Sequence, residues 1–228
     1  MANDPKTSKE IQLRWSQMTQ DERKIRQMRS LLDDRELARA DRFRVDSAYR
    51  RFVAARATLR HVLGEAVDLR PEKLAFRYGN RGKPRLPDSG LHFNASDSGD
   101  IVVVGLAHEE LGVDVEIRHP LRRPERLARR ICSVSELETW SGIPSSRQQS
   151  VLLRLWTCKE AVLKAAGVGL SGGLSNAVVD LQPDGSTPRA SFFDLDLTLL
   201  PFRLPAEAIG TVAIGGNGWS IVPSRIQL

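Results

Sequence analysis

Two long segments with helical periodicity, Asp46–Leu63 and Val151–Ala166, constrain this chain most. Each is followed at once by a glycine, and each is flanked by short strand-like stretches. In the first, Phe52, Val53, Leu59, Val62 and Leu63 fall on one face of a 3.6-residue helix. Gly64 and Gly167 read as stops, because glycine readily takes the left-handed conformation that ends a helix. Phe52–Gly64 lies over Leu155–Gly167 at an offset of 103 residues, and a candidate strand follows each. Strands are expected at Lys73–Tyr78, Leu91–Asn94, Asp100–Ala107, Gly112–Ile117, Asn176–Leu181, Arg189–Leu199 and Gly210–Ile214. Gly79–Pro84, Ala95–Gly99 and Ser141–Ser146 read as loops, Ser133–Trp140 as a short helix. The pattern predicts an α+β chain of two similar halves, although any two amphipathic helices ending in glycine would look alike at this level.

With 228 residues, 41% of them hydrophobic, the chain can bury one large core or two small ones. It has no apolar run of about 18 residues, so no membrane helix is expected. The N-terminal residues lack the apolar core of a leader peptide. Two cysteines, Cys132 and Cys158, fit neither a zinc site nor a disulfide framework, and a reducing cytoplasm is the expected setting. Thirty-four basic against 28 acidic residues give +6, a surface suited to an anionic ligand or an acidic protein partner. Nucleic acid is disfavoured, since aromatic residues make up 6% and no reader motif is present.

Two motifs carry chemistry. In Gly112-Val-Asp-Val-Glu116, strand alternation puts Asp114 and Glu116 on one face. That is either a solvated strand face or an oxygen site for Mg²⁺, which takes one or two carboxylates and completes its shell with water and phosphate. In Trp156-Thr-Cys-Lys-Glu-Ala-Val-Leu-Lys164, helical geometry brings Trp156, Lys159, Glu160, Leu163 and Lys164 into one arc. Lys159 and Lys164 could hold phosphates as point charges, and Glu160 could accept a proton. Gly167-Val-Gly-Leu-Ser-Gly172 matches a dinucleotide-binding pattern, but a helix precedes it where a strand is required. Arg118–Arg130 holds six arginines in thirteen residues, either a solvated face or a dock for an acidic partner.

Taken in order, with Asp114 and Glu160 46 residues apart, these motifs resemble those of phosphopantetheinyl transferases of the Sfp (surfactin-synthetase-activating) type, which carry G-[IV]-D-[IV]-E and then W-x-x-K-E-A/S-x-x-K-x-x-G-x-G-L. Here the second reads Trp156 to Leu170. Arg42-Phe43, Arg51-Phe52 and Arg60 resemble the family's Arg-rich N-terminal helix, Gly82-Lys83-Pro84 its G-K-P, and Phe93-Asn-Ala-Ser96 its F-N-x-S. Glu136 stands where the family has a third acidic residue. Three of only seven lysines, Lys83, Lys159 and Lys164, fall on motif positions. One departure is Asp97, in Ser96-Asp97-Ser98, where the family has S-H-S and uses the histidine toward the 3′-phosphate of coenzyme A.

The resemblance implies transfer of the 4′-phosphopantetheine arm of coenzyme A to a serine of an acyl or peptidyl carrier protein, releasing 3′,5′-ADP. The alternative is a coenzyme A-binding homologue with weakened or lost transfer. Asp114, Glu116 and Glu136 would hold Mg²⁺, or alternatively Mn²⁺. Glu160 would take the serine proton, Lys159 and Lys164 would neutralise phosphate charge, and Arg51, Lys83 and Ser96 would position the nucleotide end. The implied fold is a pseudo-twofold pair of halves, residues 1–112 and 113–228, each a small antiparallel sheet on a long helix, with the active site in the cleft between them. An acidic carrier, a monomer and no membrane or nucleic-acid partner complete the expectation.

Overall fold

The protein's structure, a computed structural model, describes residues 9–79, 81–169 and 172–228. Asn80, within the expected loop Gly79–Pro84, and Leu170, at the end of the second motif, lie outside the described residues. The chain begins with β1 (Lys9–Gln17), α1 (Glu22–Arg29), α2 (Asp34–Ala40) and the long α3 (Asp46–Val67). A small hairpin of β2 (Arg77–Tyr78) and β3 (Pro84–Arg85) precedes β4 (His92–Ser98), β5 (Ile101–Ala107) and β6 (Leu111–Ile117). Then come α4 (Pro124–Ile131), α5 (Val134–Gly142) and the second long helix, α6 (Ser145–Ala166). The chain closes with β7 (Val178–Val179), β8 (Arg189–Phe192), β9 (Leu195–Leu204), β10 (Ala208–Gly215) and β11 (Trp219–Arg225).

The first larger sheet has the order β11-β1-β5-β4, the second β6-β10-β9-β8-β7. The two face each other across a shared core of Ile11, Leu13, Ile101 and Val103 from the first and Val113, Val115, Val212 and Ile214 from the second. Helix α3 covers the outer face of the first sheet, where Leu59 and Leu63 meet Val104 and Leu106. Helix α6 covers the outer face of the second, where Leu155, Cys158 and Val162 meet Leu197, Leu199 and Ala213. The layers therefore run helix, sheet, sheet, helix. Strand β5 has cover on both sides, which is why Ile101–Ala107 is apolar at nearly every position and buried throughout.

The α+β class and the two long helices are as the sequence implies, and the details differ in instructive ways. Helix α3 does not stop at Gly64. It runs to Val67 and is capped by Asp68 in the left-handed conformation. Gly64 has a packing role instead, since a Cβ there would lie 2.6 Å from the carbonyl oxygen of Leu69. Gly167 does cap α6, with φ +67°. Helix α6 starts earlier than its apolar periodicity suggests, with Pro144 at its N-cap. The expected loop at Ala95–Gly99 is the end of β4 and its turn, with Gly99 at φ +57°. Lys73 ends a 3₁₀ turn, and the strand near it holds only Arg77–Tyr78. Strands β1 and β11 lie where no strand was expected. They pair in parallel from Lys9↔Trp219 to Trp15↔Arg225, so the first sheet is mixed and residues 219–225 join it across the division expected at 112/113.

One contact fixes how closely α6 approaches the site. Gly112 lies against the helix backbone, and a Cβ on it would come within 1.9 Å of the Ala161 carbonyl oxygen and 2.4 Å of the Ala165 nitrogen. Only glycine lets β6 and α6 approach this closely. Gly112→Ala is expected to lower the unfolding free energy by about 1–3 kcal/mol, as overpacking typically does. Gly142→Ala, whose added Cβ meets nothing within 4 Å, should be neutral or slightly stabilising. Urea midpoints of the two variants test the contrast.

Candidate active site

The site is built where the two sheets meet edge to edge. Strands β4 and β6 are both edge strands, and no direct backbone ladder joins them. Side chains of β4 take the ladder's place: Asn94 Oδ1 accepts from the Val113 amide at 2.9 Å, Ser96 Oγ from Val115 at 3.4 Å, and Ser98 Oγ from Ile117 at 3.1 Å. Each serine also donates to a carboxylate of β6, Ser96 to Asp114 at 2.9 Å and Ser98 to Glu116 at 2.7 Å. The period of two in both strands produces this, since alternate residues of β4 face alternate amides of β6.

Lys164 of α6 reaches the same point. Its Nζ donates to Asp114 Oδ1 at 2.7 Å, Ser96 Oγ at 2.9 Å and the Val113 carbonyl at 3.1 Å. Ser96 thus uses its one donor and both acceptor positions. Glu160 stands one turn earlier on α6. Its carboxyl is pushed up by burial and then by the nearby Asp114 and Glu116 carboxylates, against the pull of Lys164. Burial also pushes the Asp114 carboxyl up, with Lys164 opposing. The structure therefore brings Ser96, Asp114, Glu116, Glu160 and Lys164 together, all of them singled out from the sequence.

Beside this cluster, on the α3 side, lies a cavity of about 470 Å³ lined by Arg39, Phe43, Arg51, Phe52, Ser96 and Asp97 among others. Arg39 stacks on the Phe52 ring at 5.0 Å, and Phe43 packs against Phe52 at 5.3 Å. The side chain of Arg51 is 55% exposed, and its Nε is 4.0 Å from Asp97. The cavity thus offers cations and an aromatic wall, with one carboxylate beside the exposed Arg51. Burial pushes the Asp97 carboxyl up, against the pull of Arg51 and then Lys164. Sequence reasoning missed Arg39, whose side chain reaches the cavity from a separate helix.

Three expected site residues go elsewhere. Lys159 is fully buried, and its Nζ meets Glu136 Oε2 at 2.7 Å and the carbonyls of Leu174 and Ala177. Glu136 is 2% exposed. Its oxygens also accept from the Ser133 and Val179 amides, each at 2.6 Å. Neither residue has a free atom to offer a phosphate or a metal, so Glu136 does not join Asp114 and Glu116, and Lys159 is not a phosphate clamp. The sequence arc was right in angle but missed what lies on each side: Glu160 and Lys164 lean toward β6, Lys159 toward α5. Lys83 is bound to Glu110 at 2.7 Å, to the Leu111 carbonyl at 3.1 Å and to the Ala165 carbonyl at 3.2 Å. It is not among the residues lining the Arg51 cavity. It ties the small hairpin to the start of β6 and the end of α6.

Among the described residues, no group of three or more His, Cys, Asp or Glu stands close enough to form a ready metal site. The cluster nonetheless fits a hard dication. Asp114 Oδ2 is buried without a hydrogen-bond partner, and Asp114, Glu116 and Glu160 supply oxygen only, as Mg²⁺ prefers. Lys164 offsets part of their negative charge, and the three carboxylates still outnumber it.

Two family models match the chain in succession. Residues 14–109 match the model of the 4′-phosphopantetheinyl transferase N-terminal region, and residues 110–204 that of the 4′-phosphopantetheinyl transferase superfamily. The 4′-phosphopantetheinyl transferase HetI of a Nostoc species is 34% identical over 217 residues, 93% of this chain and 90% of that protein. The 4′-phosphopantetheinyl transferase psf-1 of Bacillus pumilus is 32% identical over 166 residues, 72% and 70% of the two chains. The L-aminoadipate-semialdehyde dehydrogenase-phosphopantetheinyl transferase of Schizosaccharomyces pombe is 30% identical over 213 residues, 86% and 78%. The chain belongs to the 4′-phosphopantetheinyl transferase family, and it is an enzyme of that class.

Two stability measurements follow from the geometry. Lys159→Met leaves Glu136 buried and unpaired, so a loss of about 3–5 kcal/mol in urea unfolding is expected, with much of it recovered on adding Glu136→Leu. Glu160 gives a pH signature. A carboxyl raised in the fold binds its proton more tightly there than in the unfolded chain. Its contribution to stability therefore falls as pH rises from the ordinary value of 4.5 through the raised one. Glu160→Gln should be more stable than the unaltered protein at pH 7 and equal to it below about pH 4. A constant difference across pH would contradict the shift.

Proposed function

We propose that the protein transfers the 4′-phosphopantetheine arm of coenzyme A to a serine hydroxyl of an acyl or peptidyl carrier protein, with Mg²⁺ present, and releases 3′,5′-ADP. The observation that carries this reading is the meeting of Ser96, Asp114, Glu160 and Lys164 at the sheet seam beside the arginine-lined cavity. Arg39 and Arg51 hold the nucleotide end there, against the aromatic wall of Phe43 and Phe52. Asp114 and Glu116, with Glu160 completing the oxygen set in place of Glu136, would hold the dication, which when bound neutralises diphosphate charge.

Glu160 takes the proton of the incoming hydroxyl, for which a raised carboxyl is better suited than an ordinary one. Lys164 turns from Asp114 toward the departing phosphate and offsets its charge. The buried Lys159–Glu136 pair positions α6 and touches no substrate. The exposed arginines of Arg118–Arg130 steer an acidic carrier by long-range attraction, screened by salt. Asp97 opposes a phosphate placed near Arg51 and weakens the grip on coenzyme A.

The experiment is a mass measurement on an apo carrier protein incubated with coenzyme A, with and without Mg²⁺. A gain of one phosphopantetheine arm that chelation abolishes is expected. Glu160→Gln should lose about 10²- to 10⁴-fold in kcat, the range typical of a removed general base, and Asp97→His should lower the KM for coenzyme A. Coenzyme A binding by calorimetry with no modification of any carrier would favour the alternative, a homologue that binds the coenzyme without transferring the arm.

A further inference from the structure

A second basic pocket lies on the opposite side of the acidic cluster from the Arg51 cavity. Strand alternation puts Asp114, Glu116 and Arg118 on one face of β6. The Arg118 amide continues the strand's pairing, donating to Glu207 at 3.4 Å one residue past β6. On α6, Arg154 and Thr157 lie on the turns before Glu160, and the Thr157 hydroxyl meets that of Thr211 at 3.0 Å, opposite Asp114 in the ladder. At the arginine end of these two rows is a cavity of about 270 Å³ lined by Arg118, Arg154, Thr157, Phe202 and Arg203 among others. Its wall is tightly built, since a Cβ on Gly210 would meet the Phe202 ring at 2.2 Å and the Asp114 carbonyl oxygen at 2.4 Å.

Three guanidinium groups line this pocket and no acidic residue does. Arg154 donates from one nitrogen to the Gly185 carbonyl at 2.8 Å. Arg118 is 3.6 Å from Glu207, whose side chain is 75% exposed. Arg203 is exposed and makes no ion pair among the described residues. Of the three, only Arg118 has an ion pair among the described residues, and that partner is largely exposed; like charges gathered in one pocket repel unless an anion joins them, and arginine forks suit a carboxylate geometrically.

We propose that Arg118, Arg154 and Arg203 form a seat for a carboxylate of the protein substrate, next to the place where its hydroxyl meets Glu160. This rests on the transferase reading above. A transfer reaction has two substrates, and the cluster has one basic cavity on each side. The α3-side cavity has the aromatic wall that a nucleotide needs. The pocket beyond Glu116 is smaller, rich in arginine and opens beside the Arg118–Arg130 segment, which matches an acidic protein surface. Arg118 belongs to both, so the pocket continues the basic surface of that segment toward Arg154 and Arg203.

Arg203→Glu tests the seat, because the side chain is exposed and the change removes no ion pair. With a purified apo acyl carrier protein as substrate, its KM is expected to rise at least about tenfold, while the KM for coenzyme A stays unchanged. A carrier in which an acidic residue beside the acceptor serine is changed to lysine should regain activity with Arg203→Glu and lose it with the unaltered enzyme. An unchanged carrier KM would overturn the proposal, and so would an equal rise in the KM for coenzyme A, which would assign the pocket to the coenzyme. If the unaltered protein modifies no carrier, it is the transferase reading that fails. Calorimetric binding of the apo carrier, compared between the unaltered protein and Arg203→Glu, then still tests the seat: tenfold weakening supports it and equal affinity overturns it.

Discussion

The site depends on an unusual way of joining two sheets. Strands β4 and β6 each end a sheet, and bare edges leave unpaired amides and carbonyls exposed to unwanted partners. Here Asn94, Ser96 and Ser98 stand in for a strand, accepting from three successive free amides of β6. Side chains are longer than a backbone contact, so the seam opens a gap that a ladder would close. Asp114, Glu116 and Lys164 occupy that gap, and the hydroxyls that bridge the sheets also fix the orientation of the carboxylates. The same bonds that hold the molecule together thus preorganise its chemistry.

Charge is handled in two opposite ways on one helix. Lys159 and Glu136 are sealed from solvent with their hydrogen bonds met by neighbours. Such a pair contributes little net stability but strongly favours one arrangement of α5 and α6. One residue along, Glu160 looks onto a cluster with an excess of negative charge and an orphaned carboxylate oxygen. A frustrated set of this kind gains free energy when a cation and its ligand arrive, and rigid packing through Gly112 keeps it from relaxing beforehand.

Much of this was legible in the sequence. The alternation of Asp114 and Glu116 and the helical spacing of Glu160 and Lys164 are local rules, and they picked out residues that the fold brings together at the seam. The fate of Lys159 was not legible, because helical angle places a side chain on a face without saying what lies opposite. Lys83 and Glu136 matched family positions, but their contacts come from elements far apart in the chain. Gly64 looked like a helix stop because stops and close-packing glycines have the same signature. β1 did leave a signal, the alternation of Ile11, Leu13 and Trp15. Its partner β11 holds a proline and mostly exposed positions, which hides the pairing from any local rule.

The parallel pairing of β1 with β11 reaches across nearly the whole described chain. Synthesis delivers β1 before the second sheet and β11 after it, so the first sheet stays incomplete until translation has passed the second. Contacts of such long range slow folding, and Ile11 and Leu13 must wait for their full cover. The sheet that carries Ser96 and Asp97 is therefore completed only when β11 returns to β1, which couples assembly of one wall of the candidate site to prior synthesis of the sheet that carries the other.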